Sequence, residues 1–291
     1  MKKRLGSLWV RNMIEAYSFL SLWLIGFILF MAIPLGKSFY YSFNKMAITK
    51  NGLIPHWSGL ANFRRAFSTD VNFLPLLKNS IMALIIQVPL ILVFAMMAAL
   101  LLNRHMVGRT FFRGVFFLPV IIASGAVLVE MLNLGAERMP LFTSSSLFLA
   151  LVNIIPEEVL EPLLGLADQL TLVMWDSGVQ ILIFLAGLQT ISPSLYEAAN
   201  MDGATKWESF WKITFPMITP MVLVNTIFTI VNSFTSARNQ MMTYIRTVVF
   251  QQSDYGYGAA IGWIYFVLAF LLIGLVFLVF RKTLINTDGR R

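Results

Sequence analysis

Asn225, Thr229 and Asn232 recur at spacings of four and three, which on a helix sets two amides and a hydroxyl along one face, with the ring of Phe228 beside them. Amides bond to hydroxyl groups and an aromatic ring covers an apolar C–H face, so this set suits a hydroxyl-rich ligand such as a sugar. Trp175, Asp176 and Gln180 form a second candidate set of the same kind. A plainer role fits the same residues equally well, because Asn, Gln and Thr also bond neighbouring helices inside membranes. Asp176 would be costly if fully immersed and comfortable at a membrane surface. Catalysis and metal binding find little support. The chain has no Cys, and its two imidazoles, His56 and His105, lie far apart, so no metal site is expected. The phosphate-cradling pattern G-x-x-x-x-G-K-[ST] is absent, so no cofactor is expected on this chain.

These residues sit in a strongly apolar background. Of 291 residues, 58% are hydrophobic and 12% charged, whereas a soluble domain carries about a quarter charged residues. The mean hydropathy is +0.75. The chain is therefore expected in a bilayer. The net charge of +8 does not point to nucleic acid, because the basic residues cluster at the ends of apolar segments. Met1-Lys2-Lys3-Arg4 looks like the start of a signal peptide, but the apolar stretch after it is long and lacks a small-residue cleavage site. It is read as a retained first span.

A crossing helix needs about 20 apolar residues. Charge-poor intervals predict six, at about 16–36, 79–103, 112–133, 168–191, 217–237 and 259–280. The expected fold is an all-α polytopic membrane protein with a single transmembrane domain over 1–291. Pro34 and Gly36 are expected to end the first span, and Pro89 to kink the second. The uncharged segment 139–156, broken by Thr143-Ser144-Ser145-Ser146, is read as interfacial or partly re-entrant; if it crossed, there would be seven spans. With six, 13 of the 22 basic residues and five of the 14 acids fall on the side of both termini. The basic surplus marks that side as cytoplasmic. On the other side, the stretch from Tyr40 to Pro75 is long enough for a small cap or docking surface.

The connection at about 192–216 then faces the cytoplasm, and it reads as two short helices around a turn. Ser194 and Glu197 fit a capping box, and Ser192-Pro193 is an equally good start. Ala198 and Ala199 are small and helix-favouring. Gly203 supplies the breaker. A second helix at about 204–213 carries Trp207, Phe210 and Trp211, with Pro216 and Pro220 marking the start of the next span. Small residues and aromatics on such a pair suit a groove on a soluble protein; an ordinary connecting loop is the plainer alternative.

Glu197-Ala198-Ala199, then Gly203, Ile213 and Pro216 at their spacings, resemble the E-A-A-x3-G-x9-I-x-L-P loop of membrane subunits of binding-protein-dependent ABC importers, with Phe215 in place of leucine. The approach Leu188–Glu197 and the stretch Gly108–Arg113 followed by Phe116-Phe117-Leu118-Pro119 are similar to maltose-type carbohydrate permeases. The resemblance implies a type I importer permease fold that works beside a second permease subunit, two ATP-binding subunits carrying ATP and Mg, and an extracellular substrate-binding protein. It implies that Glu197, as cap and anchor, and Gly203, as turn, couple to the ATPase with Ala198 and Ala199. It also implies that Asn225, Phe228, Thr229 and Asn232 contact a sugar or oligosaccharide. An ion-coupled secondary transporter is the alternative from another class and would call for inverted repeats or intramembrane charge pairs, neither of which the sequence displays. An ABC permease for a non-sugar solute is the alternative within the class.

Overall fold

The computed structural model describes residues 20–50, 52–104 and 172–288, with the separate positions 13, 15, 17, 18, 111, 114 and 170. The expected third span, the segment 139–156 and the start of the fourth span lie outside the described residues. Within them, four helices are long and apolar enough to cross a membrane. These are α1 (Leu20–Ser42), α3 (Phe73–Asn103), α6 (Lys206–Thr235) and the Tyr255–Arg281 part of α8 (Tyr255–Asp288). A fifth crossing is available if α4 (Gly178–Gln189) and α5 (Pro193–Met201), bent by 65° at a short break, count as one broken span. The chain divides into two compact units, Met1–Leu77 with Thr243–Val267, and Lys78–Met242 with Leu268–Arg291.

In the first unit α1 runs through Pro34 and Gly36 to Ser42, past the end expected for it. A π turn at Ile28–Ala32 immediately precedes the proline, which then occupies the opening of the next α-helical stretch, where a missing N–H costs little. After α1 the chain departs from the all-α expectation. Strands β1 (Asn44–Thr49) and β2 (Gly52–Trp57) pair antiparallel, with Asn44 opposite Trp57 and Thr49 opposite Gly52. Phe43 stacks on Trp57 at 5.9 Å and packs on Phe63 at 5.3 Å, which seats α2 (Ala61–Ser68) against the hairpin base. Asn62 Nδ2 donates to the carbonyls of Ser42 and Asn44, both at 3.0 Å. Gly256 lies so close that a Cβ there would stand 2.1 Å from the Asn44 carbonyl oxygen.

The polar centre of this unit is Asp70. Its Oδ1 accepts the backbone N–H groups of Asn72 and Phe73, which opens α3 six residues before the expected start of that span. Its Oδ2 accepts the hydroxyls of Tyr257 and, at 2.5 Å, of Tyr244 on α7 (Gln240–Arg246). Arg65 lies over the Tyr257 ring at 4.1 Å and bonds Asp254 at 2.7 Å. Burial works against the Asp70 charge, but the two tyrosines and two backbone N–H groups outweigh it and lower the carboxyl below its ordinary value. Burial and the same carboxylate push Tyr244 up to about 12.

In the second unit the core is the meeting of α3, α4 and α6. Ala95 and Ala99 on α3 face Ile181, Phe184 and Leu188 of α4, with Ile218 of α6 closing the cluster. Small residues let helices approach closely where lipid supplies no hydrophobic drive. α6 is longer than expected, because the second loop helix and the next span form one continuous element. Pro216 does not interrupt it. As in α1, a π turn (Phe210–Thr214) precedes the proline and places it where no donor is needed.

Candidate functional site

The α5–α6 connection is built by two terminal motifs set back to back. Ser192 is extended (φ −63°, ψ 131°) and Pro193 takes the first helical position. No side chain caps this start. The expected Ser194–Glu197 capping box is therefore not formed: with α5 already under way at Pro193, Glu197 lies a full turn inside and stands exposed. At the other end Gly203 has φ +77°. The Ala204 N–H reaches the Ala199 carbonyl (2.9 Å) and the Gly203 N–H that of Asn200 (3.1 Å), the Schellman pairing that closes a helix. Two residues later Thr205 opens α6 with a complete capping box, its hydroxyl accepting Glu208 N–H while the Glu208 carboxylate accepts Thr205 N–H. The sequence carries the pattern twice, as Ser194-x-x-Glu197 and Thr205-x-x-Glu208, and only the second forms the box.

The elbow is fixed from behind by Tyr196, whose hydroxyl bonds Thr214 Oγ1 at 2.9 Å, tying α5 to α6. In front it presents an aromatic ridge. Trp207 packs edge-on against Trp211 at 5.6 Å, and Trp211 meets Phe215 at 5.1 Å. Trp207 is nevertheless 69% exposed and Met201 88%. Glu197 and Ala198 are exposed and Ala199 is half-buried. A rigid, solvent-facing pair of helix ends with a bare aromatic ridge is a shape that engages another protein.

The second feature is a cavity of about 430 Å³ in the same unit. Three of the seven expected ligand residues line it: Asp176, Thr229 and Asn232. Asn79, Gln87, Asn239 and Gln240 add amides, and Ser80, Ser233 and Ser236 add hydroxyls. Gln180 and Asn225 stand behind the wall, both fully buried. Gln180 Nε2 donates to Thr229 Oγ1 (3.0 Å), Thr229 Oγ1 donates to the Asn225 carbonyl (2.7 Å), and Asn225 Nδ2 donates to the Gln180 carbonyl (3.2 Å). This loop of bonds knits α4 to α6, which is the plainer role foreseen for these residues. Among the described residues no aromatic side chain lines the cavity, so neither Phe228 nor Trp175 belongs to its described wall. Phe228 is instead partly exposed.

Asp176 and Arg238 form an ion pair on the cavity wall, each side chain about 25% exposed. Arg238 follows the last turn of α6 and reaches back to Asp176, two residues before the start of α4. Asn239 beside it is held by donating to the Ser233 carbonyl (3.0 Å) and by capping α7 through Met241 N–H (2.9 Å). No sequence spacing links positions 62 residues apart, so this pair was not foreseeable.

The family model of binding-protein-dependent transport system inner membrane components matches residues 91–285, a stretch that holds the elbow and, of the cavity wall, Asp176, Thr229, Asn232 and Arg238. The chain is 30% identical over 292 residues to the probable ABC transporter permease protein YesP of Bacillus subtilis (strain 168), covering 94% of this chain and 91% of that one. It is 27% identical to the arabinooligosaccharides transport system permease protein AraP of Halalkalibacterium halodurans, covering 92% and 88%. The crystal structure of a bacterial alginate ABC transporter in complex with an alginate pentasaccharide-bound periplasmic protein contains a chain of like fold, with a TM-score of 0.66, 20% identity and coverage of 94% and 96%. The elbow, the apolar helices and these matches together make this multi-pass chain a member of the binding-protein-dependent transport system inner membrane component family, with the fold of an ABC importer permease.

Proposed function

We propose that this chain is a membrane-spanning subunit of an ATP-driven importer that carries a sugar or oligosaccharide into the cell. The observation that carries the reading is the α5–Gly203–α6 elbow, whose helix ends are closed by their own motifs and whose aromatic ridge is left bare. ATP hydrolysis belongs to two separate subunits that seat this elbow, a second permease chain completes the membrane portion, and a binding protein delivers the solute from outside. The name of AraP and the pentasaccharide in the alginate complex support a carbohydrate cargo, and the amide-rich cavity supports the same class. The distribution of basic residues supports a cytoplasmic placement of the elbow and both termini.

The test is co-purification of the chain from its own cells, comparing wild type with Gly203→Asp. At φ +77° a side chain is strained, and an added carboxylate projects where the partner closes on the elbow. An ATP-binding subunit and a second permease should accompany the wild type, and the ATP-binding subunit should be lost from Gly203→Asp. A chain that purifies alone and moves solute in vesicles without ATP would replace this reading with an ion-coupled transporter. A complex that forms but imports no carbohydrate would leave an importer of another solute.

A further inference from the structure

We infer that the Asp176–Arg238 pair is a charge selector, which keeps the cavity wall neutral so that the site takes uncharged hydroxyl-rich solutes and turns away their carboxylate-bearing counterparts. This rests on the reading of the cavity as part of the solute path. Arg238 faces the cavity, and its guanidinium is a fork shaped for a carboxylate. Asp176 Oδ1 already accepts from one arm of that fork, Arg238 Nη2. The other polar groups that the described lining offers nearby, such as Asn79, Gln87, Asn232 and Ser233, carry no charge.

An arriving sugar carboxylate would meet Asp176 at short range inside a low-dielectric wall, where like charges repel several times more strongly than in water. To take both arms of Arg238 it would have to displace Asp176 from Nη2 and leave that carboxylate without its guanidinium. A neutral sugar meets neither obstacle, because amides and hydroxyls both donate and accept. With no aromatic platform among the described lining residues, that wall offers such a solute hydrogen bonds and the aliphatic contacts of Ile86, Leu90 and Val173. The selector is thus Asp176, and Arg238 is the latent anion site it masks.

The absence of Cys permits a direct reading of the field in the cavity without knowing the cargo. Ser233→Cys places a thiol on the cavity wall of the assembled transporter in membrane vesicles, and Thr49→Cys places one on the exposed hairpin. Each is treated with an anionic sulfonatoethyl and a cationic trimethylammonioethyl methanethiosulfonate, and labelling of this chain is timed. Asp176→Asn should raise the anion-to-cation rate ratio at position 233 about tenfold, and Arg238→Gln should lower it about tenfold. The double variant should return near the starting ratio, and position 49 should not respond. A ratio at 233 that neither single variant moves overturns the inference, and so does a thiol there that no reagent reaches. If Asp176→Asn fails to assemble, the direction of the Arg238→Gln shift still decides. Failure of the sugar-importer reading would be seen in the purified partners and the transported solute, and would leave these ratios as they are.

Discussion

Asp70 and Asp176 are both carboxylates held by side chains from distant parts of the sequence, yet they are finished differently. Both Asp70 oxygens are engaged, and all four of its donors are neutral: two tyrosine hydroxyls and two backbone N–H groups. It is a closed node that joins the start of α3 to α7 and α8 within its unit. Asp176 is met by a full positive charge and stands on the wall of a cavity. The first arrangement fixes a fold. The second sets an ion pair beside open space. A buried polar residue in a membrane protein is therefore read by how its partners are charged and whether open space adjoins it, more than by its depth.

The sharpest way to break this comparison is to remove the closed node. Asp70→Ala leaves two hydroxyls and the first turn of α3 without their acceptor, and should destabilise that unit by about 2 kcal/mol. Hydrogen exchange at Phe73 and along the β1–β2 hairpin should speed up accordingly, while labelling at the cavity wall keeps its charge preference. If the cavity labelling moved as well, the two carboxylates would not be separable. A milder lever is pH. The folded carboxyl of Asp70 lies below its ordinary 3.8, so its stabilisation is complete above 3.8 and fades as pH falls through the lower, folded value. Tyr244 has the opposite sense: raised from 10.0 to about 12, it contributes in full below pH 10 and loses that contribution as pH climbs through 12. Exchange protection of the hairpin should weaken at both extremes, and Asp70→Asn should flatten the acid limb. The smallest expected effect tests the wall behind the cavity. Gln180→Met removes its hydrogen bond to Thr229 and should cost about 0.6 kcal/mol in thermal or denaturant unfolding of the α4–α6 pair. A cost of several kcal/mol would mean that the bonds of Gln180, Thr229 and Asn225 act as an indivisible network.

What the sequence made legible was mostly local. Apolar length pointed to the stretches that form the four long apolar helices, Gly203 showed itself as a turn by residue type and position, and Ser192-Pro193 marked the start of α5. Prolines misled, because Pro34 read as a stop and Pro216 as the start of a separate span, and only the backbone reveals the wide turns that absorb them. Helical spacing grouped Asn225, Phe228, Thr229 and Asn232 correctly on α6. It could not say which edge of that face turned toward open space, and the cavity lining takes Thr229 and Asn232 from it but not Phe228. The partners of Asp70 and Asp176 lay beyond reach for a different reason: tyrosines 174 and 187 residues away leave no periodic trace.

The π turns at Ile28–Ala32 and Phe210–Thr214 each carry one residue more than an α-helical turn needs. They are therefore places where the chain can change length by one without breaking a helix. Deleting a residue from Phe210–Thr214 would convert the wide turn to an ordinary one and swing everything before it by about 100° about the helix axis. The Trp207 ridge would then point elsewhere while Thr229 and Asn232 kept their places on the cavity wall. Alignment between the elbow and the cavity wall is thus stored as a count of residues, and drift in that count would redirect one without altering the chemistry of the other.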